Sequence, residues 1–164
     1  MPTAAATSIA DKLHERVTAI VESTKGLSDA QTQQRPAEGE WSIAENLSHL
    51  CGEDARAFLT TVKRFIDEDV PTIDITPGIS FFESRADASL ADLVDSFRAQ
   101  YEAIGSYLTA LDASQLNRTG HVPLFKETPF GDYPTVEQFV TVISDFHLNG
   151  HVAQIASAKA AIGA

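Results

Sequence analysis

Residues 134–161 read PTVEQFVTVISDFHLNGHVAQIASAKAA, and this stretch decides the fold class. Its apolar residues recur at intervals of three and four, which is the pattern of an amphipathic α-helix. Thr135 and Gln138 are spaced to form a capping box at the start of that helix, and Gly163 lies just beyond its end. The pattern predicts one helix over about residues 134–161.

Three further segments have the same helical periodicity. They run from about Ser8 to Lys25, from Ser42 to about Asp67, and from Ser89 to about Leu111. The second and third each open with a serine followed three residues later by an acid, which again indicates a capping box. Four amphipathic helices of this length predict a single all-α domain over residues 1–164, folded as a four-helix bundle.

Long connections separate the predicted helices. They cover residues 26–41, 68–88 and 112–133, and the second is expected to cross the end of the bundle. Loops of this length in a compact domain are usually functional or disordered. The aromatic residues of the last two favour packed loops that wall a pocket, and these are Phe81, Phe82, Phe125, Phe130 and Tyr133.

The composition excludes several classes of protein. Of 164 residues, 43% are hydrophobic and 21% charged, as in ordinary globular domains, and Cys51 is the single cysteine, so an intrachain disulfide is impossible. We see no signal-peptide pattern in the first ten residues and no membrane-spanning apolar run, and therefore expect a cytoplasmic protein. The net charge of -11, from 12 basic and 23 acidic residues, argues against a nucleic-acid partner.

His147 and His151 are four residues apart, which places both imidazoles on one side of the predicted fourth helix together with Gln154. They would border an apolar stripe made by Phe139, Val142, Ile143, Phe146 and Gly150. Two interpretations of this pair are open: the histidines are hydrogen-bonded packing residues, or they form half of a metal site. Gly150 inside a helix predicts the close approach of another element or of a ligand.

His49 lies in the second predicted helix, opposite its apolar side. Periodicity alone favours a solvated face, and the alternative is a cleft in which His49 faces His147 and His151. In that cleft Glu45 and Glu53, about one turn to either side, would orient the imidazoles or add a ligand. His121, in the last long loop, could hang over the same pocket.

Three pieces of sequence together resemble a known family. They are WSIAENLSHL at residues 41–50, FGDYPT at 130–135, and His147-x-x-x-His151-x-x-Gln154. In this order they look like the DinB/YfiT-like metalloprotein superfamily. The resemblance implies a four-helix bundle with an unusual crossover topology, commonly dimeric, that holds one divalent metal ion on His49, His147 and His151. Histidine ligation suits zinc, nickel, iron and copper alike, so it does not choose the element.

The resemblance also limits the function. Relatives include transferases and isomerases that use low-molecular-weight thiols, so the leading hypothesis is a thiol-dependent transferase acting on a small electrophilic molecule, with Glu53 or His121 handling protons. A metal-dependent hydrolase and a non-catalytic metal- or ligand-binding module are the alternatives. In one respect the chain departs from the family pattern, because Leu148 stands where close relatives often carry Asp.

Overall fold

The computed structural model describes residues 2–54 and 56–164. Its α-helices are α1 Ala4–Thr24, α2 Asp29–Gln33, α3 Ile43–Cys51, α4 Ala57–Asp67, α5 Leu90–Thr109, α6 Ala113–Leu116, α7 Val136–Thr141 and α8 Asn149–Ala161. Val142–Leu148 continues α7 into α8 as a stretch of π-helix, and Phe82–Arg85 and Pro123–Phe125 form short 3₁₀ turns. The described residues form no β-strand, only two isolated bridges.

Four helical rods form the bundle, and they confirm the predicted all-α fold class. The rods are α1, α3 with α4, α5, and the continuous run from α7 to α8. Helix α1 packs on α5 and α8, while α3 also packs on both of them and α4 packs on α5. Phe65, Phe97 and Phe139 are the largest fully buried side chains of the core. Within the described part of the chain, no helix is long and apolar enough to cross a membrane.

The second predicted helix is broken, so its prediction as one helix over 42–67 was wrong. Helix α3 ends at Cys51 because Gly52 adopts φ +72°, a conformation that residues with a side chain rarely adopt. The N–H of Gly52 donates to the carbonyl of His49 and closes the last turn. The start of α3 is as predicted, because Ser42 and Glu45 form a reciprocal capping box.

The fourth rod departs from α-helical geometry at its centre. Its π-helical turns hold more residues per turn than α-helical ones, so side chains after Val142 are displaced around the axis. As a result Leu148 is fully buried, whereas Phe146 is 57% exposed. A Cβ atom added at Gly150 would meet no other atom within 4 Å. The prediction that Phe146 joins the apolar stripe was therefore wrong, and no other element of the described chain approaches Gly150.

The long connections are tied to each other and to the bundle. The N–H of Ile73 donates to the carbonyl of His121 at 2.8 Å, and the N–H of His121 donates to the carbonyl of Pro71 at the same distance. Further along the first connection, Arg85 donates hydrogen bonds to the end of α3. Of the loop aromatic residues, Phe125 is buried in the core, where it stacks on Phe139.

Candidate metal site

Three histidines from three elements of the bundle meet at one point. His49 comes from α3, His147 from the π-helical stretch and His151 from α8. Each offers a ring nitrogen, and these atoms all lie within 4.8 Å of one another. His151 is buried and the other two are half-buried. His49 therefore faces His147 and His151 across a cleft, which was the alternative interpretation. It does not lie on a solvated face, as periodicity alone favoured.

Hydrogen bonds orient two of the three imidazoles. The Nδ1 atom of His49 lies 2.7 Å from the carbonyl oxygen of Ile79, and Nδ1 of His151 lies 2.7 Å from Oδ1 of Asn46. Both oxygens can only accept, so each Nδ1 carries the proton and donates it. The lone pair is left on Nε2 of both rings, which is the tautomer that a metal-binding histidine needs.

Burial keeps two of the three imidazoles, those of His147 and His151, uncharged. It lowers the pKa of His147 to about 4, with a further contribution from the charge of His49. It lowers the pKa of His151 to about 3, reinforced by the charges of His147 and His49. Both imidazoles are neutral at pH 7, so their ring lone pairs are available.

Trp41 forms one wall of the cluster. Its ring lies 5.0 Å from that of His49 and stacks on that of His151 at 6.5 Å with an angle of 11° between the planes.

Glu45 is held as a carboxylate at the start of α3. Burial opposes its ionisation, but hydrogen bonds from Arg35 and Ser42 outweigh burial, so the pKa of Glu45 lies below its usual value. The carboxylate is held by the guanidinium of Arg35 and by the N–H of Ser42. Glu45 is thus a buried structural anion that holds the start of α3.

The other residues predicted for the site lie apart from the histidine cluster. Glu53 is exposed in the turn after Gly52 and is not among the side chains that converge with the three histidines. His121 stacks on Tyr133, with ring centres 4.8 Å apart, and its Nε2 lies 3.7 Å from Oδ2 of Asp132. Neither position gives these two residues a contact with the three imidazoles.

Two groups that orient the histidines were not predicted from the sequence. Asn46 precedes His49 by three residues, on the side of α3 away from its apolar residues. Its amide oxygen was the available signal, because an amide near a candidate metal-binding histidine can accept a hydrogen bond from an imidazole. The acceptor from Ile79 is a backbone carbonyl, which every residue carries, so no side chain in the sequence could indicate it. Leu148 cannot take part, because its side chain is fully buried in the core.

A family model now accounts for the same residues. The model of the DinB superfamily matches residues 12–155, which include all three histidines and most of the bundle. The chain belongs to the DinB superfamily. The predicted family and the predicted fold of this DinB protein are therefore confirmed.

Two similar proteins carry descriptions that bear on this DinB chain. A Geobacillus kaustophilus (strain HTA426) protein named a putative metal-dependent hydrolase is 29% identical over 148 residues, which cover 82% of this chain and 72% of the relative. The solved structure of YfiT from Bacillus subtilis, described as a probable metal-dependent hydrolase with an unusual four-helix bundle topology, matches with a TM-score of 0.73 at 17% identity. That match covers 96% of this chain and 87% of YfiT. At that identity the structural match supports the fold alone.

Proposed function

We propose that this DinB protein is a metal-dependent hydrolase that holds one divalent ion on His49, His147 and His151 and acts on a small molecule. The observation that carries the proposal is the convergence of the three ring nitrogens within 4.8 Å. Three imidazoles packed together have little other use inside a bundle, because they add no packing advantage over apolar side chains.

The donor set fits a catalytic ion better than a structural one. Structural zinc sites have four protein ligands, whereas three histidines leave a coordination position for water or substrate. Bound there, a divalent ion supplies Lewis acidity and lowers the pKa of a coordinated water. The protein contributes the fixed tautomers of His49 and His151, and Trp41 shields the imidazoles on one side.

The choice of hydrolysis over thiol transfer rests on the 29%-identical relative, which is named a metal-dependent hydrolase. The thiol-dependent transferase predicted from the sequence would use the same three histidines, and it stays the alternative. A screen of ester and amide substrates, with and without added thiols, separates the two. Turnover without thiol supports the hydrolase, and turnover of epoxides or activated alkenes only with thiol would replace it by the transferase.

Metal content tests the site itself. We expect about one equivalent of divalent metal per chain after purification without chelator, and a large loss in His147→Ala. His14→Ala is the matched control, because His14 is exposed on α1 and is not one of the three clustered histidines. Metal content that is the same in His147→Ala and in the wild type would contradict the three-histidine site.

Two further sequence predictions belong with this proposal. Glu53 and His121 remain candidates for proton transfer, and the Glu53→Gln and His121→Asn variants test them by the pH dependence of turnover. A homodimer in the cytoplasm is the expected state of the protein. Sedimentation velocity of the metal-loaded protein measures the oligomeric state. Fractionation of the source cells measures the localisation.

A further inference from the structure

A cleft of about 470 Å³ opens beside the histidine cluster. Its lining residues are Pro36, Gly39, Glu40, Trp41, Asn46, Gln154, Ser157 and Ala158. Two of them connect it to the cluster, because Trp41 stacks on His151 and Asn46 accepts the hydrogen bond of the same imidazole. A molecule in the cleft would therefore lie against two residues that contact His151, one of the proposed metal ligands.

The charge of the cleft is one-sided. Among the described residues, Glu40 is the only ionisable one that lines the cleft, and it directly precedes Trp41 in the sequence. Two basic residues lie close along the chain, but both are engaged elsewhere. Arg35 is paired with Glu45, and the Nζ atom of Lys159 is directed to the carbonyl oxygen of Ser23 at 3.4 Å. The described lining of the cleft thus holds one acidic residue and one aromatic ring but no basic residue.

Uncharged polar groups complete the lining. Asn46 is committed at both ends of its amide, to His151 and to the carbonyl of Ser42. Gln154, three residues after His151, makes no side-chain hydrogen bond to any of the described residues and is exposed. Its amide and the hydroxyl of Ser157 are therefore left for a ligand.

We infer that this cleft binds the ammonium end of an amine-containing substrate, with Glu40 and Trp41 as its recognition groups. A carboxylate and an indole that line the same cleft suit an organic cation, because an ion pair and a cation–π interaction can both act on an ammonium group. An anionic ligand would face Glu40 within a chain of net charge -11. That the bound amine is a substrate rests on the proposed function. The preference of the cleft for an ammonium group does not require a bound metal ion.

Trp41 makes the test direct, because it is the only tryptophan of the chain and lines the cleft. Its fluorescence is followed during titration of chelator-treated protein with three probes of similar size: phenethylamine, 3-phenylpropan-1-ol and 3-phenylpropanoate. We expect the ammonium probe to bind roughly tenfold more tightly than the carboxylate, and Glu40→Gln to weaken it by roughly fivefold. Glu38→Gln is the matched control, since Glu38 is exposed two residues away and does not line the cleft.

The outcomes separate this inference from the proposed function. Equal or tighter binding of 3-phenylpropanoate, an unchanged affinity in Glu40→Gln, or no binding of any probe at millimolar concentration would overturn the ammonium site. Repeating the titration with His147→Ala, which lacks a proposed ligand, should leave the preference for the ammonium probe intact. A protein that binds no metal yet prefers the ammonium probe would refute the hydrolase proposal and support the cleft.

Discussion

The Nδ1 atom of His151 lies 2.7 Å from Oδ1 of Asn46, and both residues are buried. The amide of Asn46 is itself held, because its Nδ2 donates to the carbonyl of Ser42 at 2.9 Å. A chain of hydrogen bonds thus runs from the N-cap of α3 to an imidazole on α8. The capping of one helix and the tautomer of a histidine on another are parts of the same network.

Replacing Asn46 by Ala should lower the affinity for a divalent metal by about 10- to 100-fold, which is the usual cost of losing the partner of a metal-binding histidine. Without its acceptor, His151 is free to place the proton on either nitrogen and to rotate. Competition with a chromophoric chelator measures the affinity, and circular dichroism monitors the fold.

Two variants check that this effect comes from the acceptor. Asn46→Asp keeps an oxygen at the same place and should recover much of the affinity. Asn117→Ala removes an exposed side chain whose amide bonds only to the carbonyl of Ala113, and it should bind metal as the wild type does. A folded Asn46→Ala protein with wild-type affinity would show that the hydrogen bond does not orient His151.

Arg85 should matter for the site although it is not one of the three clustered side chains. Its guanidinium donates to the carbonyl and hydroxyl of Ser48 and to the carbonyl of Gly52, the last groups of α3. The same connection supplies the carbonyl of Ile79 to His49. Arg85→Met should therefore cost about 1–3 kcal/mol in the free energy of unfolding and weaken metal binding as well, since buried carbonyls lose their donors.

Urea unfolding and chelator competition measure the two effects of Arg85→Met separately. Arg98→Met is the control, because Arg98 is exposed on α5 and its loss should change neither quantity. Arg85→Lys should rescue only part of the stability, since one ammonium cannot reproduce the fork of the guanidinium. Metal affinity unchanged in a destabilised Arg85→Met protein would mean that Ile79 keeps its place without this anchor.

The stability of the metal-free protein should fall as the pH drops from about 6.5 to about 4. In the folded state the pKa of His147 is lowered to about 4 and that of His151 to about 3, mainly by burial. In this window the unfolded chain binds protons that the folded chain does not, so acid favours unfolding. Urea unfolding in the presence of a chelator at several pH values measures the slope.

The contribution of His147 and His151 to this pH dependence is obtained by comparing the wild type with a variant that lacks both. A double variant, His147→Gln with His151→Gln, should show a shallower dependence on pH than the wild type. His14→Gln removes an exposed histidine and should keep the wild-type slope. Identical slopes in the wild type and the double variant would show that the buried imidazoles titrate normally.

The fold class, the capped starts of α3, α5 and α7, and the pairing of His147 with His151 could be predicted from the sequence, because caps and four-residue spacing are local properties. The first helix begins earlier than predicted, at Ala4 with Thr3 as its N-cap. His49 was harder. Its direction was judged against apolar residues on both sides of Gly52, although the helix breaks there. In α3 even polar residues are buried, since Glu45 bonds to Arg35, Asn46 to His151 and Ser48 to Arg85. Apolar periodicity cannot detect such partners, and the family resemblance supplied what it lacked.

The π-helical stretch gives the most direct test of the fourth rod. In a regular α-helix the apolar stripe would include Phe146, yet the structure exposes that side chain and buries Leu148 completely. Leu148→Ala should therefore cost about 2–5 kcal/mol in the free energy of unfolding, as for other large side chains removed from a core. Phe146→Ala should change it by less than about 1 kcal/mol. Urea unfolding of the two variants decides, and a larger loss at Phe146 would mean that the rod is a regular α-helix throughout.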